Sequence, residues 1–437
     1  MKVVISQKGA REHYAVARAL HQEGLLARLV VDWYAPGNPV LRRVAEALTH
    51  VFGGRGRSAM AARLDLIPDR LVKSFPLSSL LWKWQVRQGG KHGRQYEAFA
   101  ATDAAFARSV GRLDLPAHEV FFGYSYASLE TLEAERRRGV FTVLDQIDPG
   151  ALEFQLVAAE MSRHPEIAGP PPKMPVAYFD RVRREWELAD VIIVNSEWSR
   201  EALVQQGVPA GKIEVLPLAY GLDEVAPPGP EGGGRGKTES LRVLWLGQVN
   251  LRKGIHYLMT AAGLLEGENI QFDVVGPSGI LPAAIASAPK NMRFHGPVSR
   301  DQVEGWYRRS DVFVLPTLSD GFALTQLEAL ARGLPVVATP HCGRVVEHGK
   351  TGFIVPARDP QALAEALRQF ARNPELAPGM APHCRAAVKA YSIEACGRQL
   401  VGIIRRGLAA RQNAGGGAET RDPAANLAVA QPEGVTP

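Results

Sequence analysis

Cysteine is scarce in this chain and carries no pattern. Cys342, Cys384 and Cys396 are the three present in 437 residues. An odd number without metal-ligand spacing argues against a disulfide framework or a cysteine zinc site and fits reduced packing thiols in a reducing compartment. Long apolar runs are also missing: nothing approaches the roughly 20 apolar residues that span a bilayer, so any membrane contact is expected to be peripheral. Met1 to Ala10 holds a short apolar run between Lys2 and Lys8 but no h-region or small-residue cleavage site. It reads as a first strand, and the chain is expected to be cytoplasmic. No Gly-x-Gly-x-x-Gly follows that strand, which counts against a dinucleotide oxidoreductase, and there is no Walker loop. With no Asp-x-Asp and no evident His/carboxylate cluster, no metal and no cofactor is expected. No nucleic-acid-binding module is recognisable either.

What is present is the composition of a soluble globular enzyme, too long for one ordinary domain. The formal net charge is +6, and residues 41–115 alone hold 13 Lys/Arg against 6 Asp/Glu. That stretch, rich in Arg, Gly and aromatics such as Trp82, Trp84, Tyr96 and Phe99, breaks the strand rhythm around it. It reads as a helical or irregular insertion over 35–115. Its basic residues either form a solvated helical face or serve an acceptor-binding or membrane-surface lobe.

Elsewhere, short β-branched and aromatic runs ending in turn residues recur at intervals that leave room for a helix, the pattern of an α/β fold with parallel sheets. The first set is Lys2–Ser6, Leu29–Asp32, Val120–Gly123, Val140–Asp145, Val191–Ser196 and Ile213–Pro217. A second comprises Leu241–Gly247, Phe272–Gly276, Met292–Gly296, Val312–Pro316 and Pro335–Thr339. These runs are continuously apolar, so helices should cover both faces. The sequence therefore predicts a first domain over 1–222, a Gly/Pro-rich linker over 223–240 and a second domain over 241–392. A C-terminal helix over 393–411, free to pack on either domain, and a disordered tail over 412–437 complete the chain.

The most informative segment is a strand ending at Pro316, the loop Thr317-Leu318-Ser319-Asp320-Gly321-Phe322-Ala323, and a helix from Leu324 to Arg332. A loop entering a helix at the carboxyl end of a parallel strand is where open α/β sheets bind ligands. The helix amino end suits a phosphate, and Gly321 allows close backbone approach. Glu328 lies beside the inward face of Leu324, Leu327 and Ala331, so its carboxylate needs a polar partner such as ribose hydroxyls. Taken alone, Asp320 and Glu328 read as an N-cap and a surface charge. Context changes that reading, because Gly247 and the turn Val249-Asn250-Leu251-Arg252-Lys253-Gly254 follow the second domain's first strand. A guanidinium fork and an ammonium stand there, where nucleotide phosphates are met in this topology.

These residues resemble a family. Ser319 to Leu330 with Gly333-Leu334-Pro335-Val336-Val337, together with Gly247 and Arg252-Lys253-Gly254, look like the donor-binding signature of the family-4 retaining glycosyltransferases of GT-B fold. Asp190–Ser196, Pro209–Pro217 and Gly349–Pro356 support the match, which is strong over the second domain and negligible over 35–115. The resemblance implies two Rossmann-like domains facing across a cleft and a UDP- or GDP-linked sugar donor. It also implies a saccharide, lipid-linked or small-molecule acceptor, with retained anomeric configuration and no metal. It assigns Arg252 and Lys253 to the diphosphate, Gly321, Phe322, Ala323 and Leu324 to phosphate or sugar, Glu328 to the ribose, Asp320 to hydroxyls of the transferred sugar, and Val298 to the base.

Two departures stand out. The family's first carboxylate is usually Glu and here is Asp320, one methylene shorter. Where the first domain often carries a cleft histidine, this chain has Gly123-Tyr124-Ser125, so Tyr124 is either an acceptor-side donor or a core aromatic. Gly9, after the first strand, would shape the acceptor side. Two other readings remain, a sugar-nucleotide epimerase of the same fold and a non-catalytic nucleotide-sugar-binding protein. The epimerase lacks an evident acid/base cluster in the first domain.

Overall fold

The computed structural model describes residues 1–34, 67–91, 93–221 and 240–416. The first part of the expected insertion (35–66), the expected linker up to residue 239 and the tail beyond 416 lie outside the described residues. The described strands form two sheets. The first contains β1 (Val3–Gln7), β2 (Leu26–Val31), β3 (Val72–Ser74), β4 (Val120–Tyr124), β5 (Phe141–Gln146), β6 (Val191–Val194) and β7 (Ile213–Val215), in the order β3-β2-β1-β4-β5-β6-β7. The second contains β8 (Leu241–Leu246), β9 (Ile270–Val275), β10 (Met292–Gly296), β11 (Val312–Leu315), β12 (Val336–Ala338) and β13 (Gly352–Ile354), in the order β10-β9-β8-β11-β12-β13.

Neighbouring strands run parallel throughout both sheets. Every residue of β1, β4, β5 and β11 is buried, the consequence of helices on both faces. In each sheet the order reverses direction at one place, between β1 and β4 and between β8 and β11. Loops leaving the carboxyl ends of such a pair diverge and open a crevice. Two strands are not apparent in the sequence: β3 and β13 each have three residues and sit at sheet edges, too short to show a period.

The described part of the insertion is ordered helix. Helices Pro76–Lys91 and Gln95–Gly111 follow β3, and Phe106 and Val110 of the second are fully buried in the core that also holds Val4, Val30 and Phe121. Trp82 packs edge-on to Phe106 with centroids 5.9 Å apart, so part of the aromatic content serves the core. The C-terminal helix runs Ile393–Gly416, past the expected end, and returns to the first domain. Leu400 and Ile404 share a core with Ile5, Val143 and Ile193. At Gly397 a β-carbon would lie 2.8 Å from the Ala19 Cβ, so glycine permits the contact with helix Ala15–Gln22.

Candidate active site in the interdomain cleft

The site begins with two loops flanking the reversal point of the second sheet, one after β8 and one after β11. Gly254 ties them together. Its φ is +76°, and a β-carbon there would lie 1.8 Å from the Pro316 carbonyl oxygen; only glycine fits. Close by, the Leu318 N–H and the Thr317 hydroxyl both donate to the Arg252 carbonyl at 2.9 Å.

This contact brings Arg252 and Lys253 to Asp320. Arg252 Nη1 donates to Asp320 Oδ1 at 3.2 Å and to the Ser319 carbonyl at 3.1 Å, and Lys253 Nζ pairs with Asp320 Oδ2. Burial would raise the Asp320 carboxyl, but Lys253 and Arg252 outweigh it and hold the group below its ordinary value. Asp320 is not a helix cap: the N-cap position of helix Leu324–Ala331 is Ala323, without a side-chain bond.

The first domain closes over this cluster. Glu153, in the first turn of helix Ala151–Arg163, accepts from the Ser319 hydroxyl at 2.9 Å and lies 3.7 Å from Arg252 Nη1. Trp198 Nε1 donates to Ser319 Oγ at 3.0 Å, and its ring stacks on His341 at 4.0 Å. Burial pushes the Glu153 carboxyl up to about 7; Arg252 opposes this, while Asp148 and Asp320 add to it. The sequence alone does not single out Glu153, Trp198 and His341. Its signals for them are slight, an acid just after Gly150 and a Trp just after a strand.

The remaining expected residues fall in different places. At Gly321 a β-carbon would lie 2.8 Å from Asn195 Nδ2 and 3.1 Å from the Ile147 carbonyl, so its close approach is to the first domain. The Ala323 N–H donates to the Cys342 carbonyl at 3.2 Å, which removes that N–H from the expected phosphate contacts. Phe322 is buried, and Leu324 and Val298 pack half-buried on the core. Glu328 is half-buried and accepts from the Tyr307 hydroxyl at 2.7 Å. Gly247 has φ +149°, and a β-carbon there would meet nothing within 4 Å. The same open space surrounds Gly9, whose N–H donates to Asp32.

Of the two readings of Tyr124, its burial favours the core aromatic. It is 1% exposed, its hydroxyl is buried, and its ring packs against Phe122; β4 is covered on both faces, so the phenol points into the core and meets no acceptor. The expected absence of a His/carboxylate cluster is a correction. The fold assembles Glu160, His164 and His256; Glu160 and His164 are four residues apart, but His256 joins them from 96 residues away in sequence, which no local motif shows.

Residues 240–373 match the glycosyl transferases group 1 family. That match covers most of the second domain. The group 1 match is echoed by D-inositol 3-phosphate glycosyltransferases. That of Streptomyces avermitilis is 31% identical over 215 residues, 44% of this chain and 46% of the relative. That of Corynebacterium urealyticum is 30% identical over 241 residues, 50% of this chain and 57% of the relative. The chain thus spans about half the length of the curated relatives it matches. Among solved structures, sucrose-phosphate synthase from Thermosynechococcus elongatus superposes with a TM-score of 0.57 at 18% identity, over 94% of this chain and 100% of that one. The Anabaena protein HepE in complex with UDP and glucose gives 0.58 at 15%, over 93% and 100%. At such identities the likeness shows the fold alone, two Rossmann-like domains in the GT-B arrangement.

Proposed function

We propose that this chain is a retaining, metal-independent glycosyltransferase that moves a sugar from a UDP- or GDP-linked donor to a saccharide, lipid-linked or small-molecule acceptor. One observation carries the reading: Arg252 and Lys253 converge on Asp320 just before helix Leu324–Ala331, at the reversal point of the second sheet. Breaking the bond from the anomeric carbon to the diphosphate develops negative charge on the leaving oxygens, and fixed cations beside a helix amino end stabilise it. Arg252 and Lys253 then take the diphosphate, and Asp320, released from them, takes hydroxyls of the transferred sugar. Glu328 holds the ribose, and Val298 lies near the base. The likeness to a protein solved with UDP and glucose supports a uridine donor.

Helix Pro76–Lys91 is the candidate surface for a peripheral membrane contact. It exposes Leu77, Leu81 and Trp84 beside Lys83, Arg87 and Lys91, all exposed, the mixture of apolar and basic groups that suits an anionic interface. Among the described residues no helix is long and apolar enough to cross a membrane.

The test is transfer from a panel of UDP-, GDP- and ADP-sugars with and without EDTA, reading the product's anomeric configuration by NMR. Lys253→Ala should fold and lose transfer. Wild-type turnover by that variant, or inversion of the product, would overturn the reading.

A further inference from the structure

Two helical turns along from Glu153, the same helix carries a second polar cluster, separate from the donor site. Glu160 is fully buried and uses its two oxygens differently. Oε2 accepts from Arg163 Nη1 at 3.2 Å and Arg358 Nε at 3.3 Å. Oε1 faces His256 Nε2 at 3.0 Å, His164 Nε2 at 3.6 Å and the Tyr257 hydroxyl. The two imidazole rings lie 4.8 Å apart between centroids. Glu160 and His164 come from the first domain, and His256 and Tyr257 from helix Ile255–Leu264 of the second.

We propose that Glu160 Oε1, His164 Nε2 and His256 Nε2 form a zinc site that bridges the two domains, with the Tyr257 oxygen or a water as fourth ligand. Tetrahedral zinc with bonds of about 2.0–2.1 Å sets its ligand atoms roughly 3.3 Å apart. The distances of 3.0 and 3.6 Å to Oε1 bracket that spacing, and the three ligand atoms lie within 4.8 Å of one another. His164 Nδ1 faces Glu166 Oε1 at 3.3 Å, the carboxylate support that orients a metal-bound imidazole. The side chain of His164 is 33% exposed and that of His256 3%, so an ion can enter from the His164 side. Arg163 and Arg358 oppose a cation, so the ion is expected to exchange with solvent. When bound, it ties the helix carrying Glu153 to the helix that follows Lys253.

The test needs no donor or acceptor, so its outcome is independent of the transferase reading. The full chain, stripped with EDTA, is titrated with Zn²⁺ by calorimetry and with Co²⁺ by visible absorption. One equivalent should bind, and Co²⁺ should give the intense bands of a tetrahedral site. His164→Ala, from the first domain, and His256→Gln, from the second, should each weaken binding at least tenfold. His383→Ala, at an exposed position elsewhere, should leave it unchanged. Circular dichroism checks that the variants fold. Absence of one saturable equivalent, retention of full affinity by folded His164→Ala, or loss of binding in His383→Ala would each overturn the proposal.

Discussion

Ser319 of the second domain donates its hydroxyl to Glu153 of the first at 2.9 Å, a direct bond from the loop after β11 to the opposite wall of the cleft. The acceptor is a carboxyl pushed up to about 7 by burial, with Arg252 resisting. A folded-state pKa above the unfolded value means that protonation favours the folded form. The contribution is complete below about 4.5 and is lost as pH rises through 7. Glu153→Gln keeps the size and an oxygen for Ser319 but cannot ionise. We expect it to match wild type in denaturant unfolding at pH 5 and to be more stable by about 2 kcal/mol at pH 8. Equal differences at the two pH values would show that Glu153 does not titrate in this range.

Asp320 occupies the two cations that a diphosphate would need. Asp320→Asn removes the competing charge while preserving shape. Nucleoside diphosphate should then bind about tenfold more tightly, the scale of a charge-assisted hydrogen bond, while sugar transfer falls because the carboxylate for the sugar hydroxyls is gone. Calorimetry with UDP and an initial-rate assay separate the two effects. Weaker UDP binding by the variant would mean that Asp320 assists the phosphate site instead of competing for it.

Much of this arrangement is legible in the sequence because its chemistry is local. Gly254, Arg252 and Lys253 share one turn, Asp320 and Gly321 another, and both turns follow largely apolar strands of a parallel sheet. The opposite wall is not legible. Glu153 meets Ser319 across 166 residues and Trp198 meets it across 121, and neither carries a local pattern. Tyr124 stays ambiguous in the sequence because a strand covered on both faces gives no alternation to say which way a residue points. Gly321 suggests room for a phosphate, whereas its missing side chain makes room for Asn195. A single sequence shows that a glycine is present, not what approaches it.

Helix Pro76–Lys91 offers a separate test of the membrane-facing reading. Leu77 is 82% exposed and Trp84 58%, so replacing both should cost little stability. Leu77→Ser with Trp84→Ser should reduce co-sedimentation with vesicles containing anionic lipid and leave transfer to a soluble acceptor unchanged. Equal sedimentation of both proteins would remove this helix as the contact.

The Glu160 cluster sets an acid limit on how the domains hold together. Burial alone would raise its carboxyl, but hydrogen bonds from His256 and Tyr257 and the charge of Arg358 bring it down to about 2. Because the folded-state pKa lies below the unfolded one, the stabilisation is present above about 4.5 and disappears as pH falls toward 2. Glu160→Gln keeps the packing but removes the charge that Arg163 and Arg358 share. With EDTA present throughout, it should cost about 2 kcal/mol at pH 7, with the gap to wild type narrowing below about pH 4.5 and closing toward pH 2. Unfolding followed by tryptophan fluorescence measures both values, and a deficit that persists unchanged at pH 3 would place the loss in packing instead of in the ion pairs.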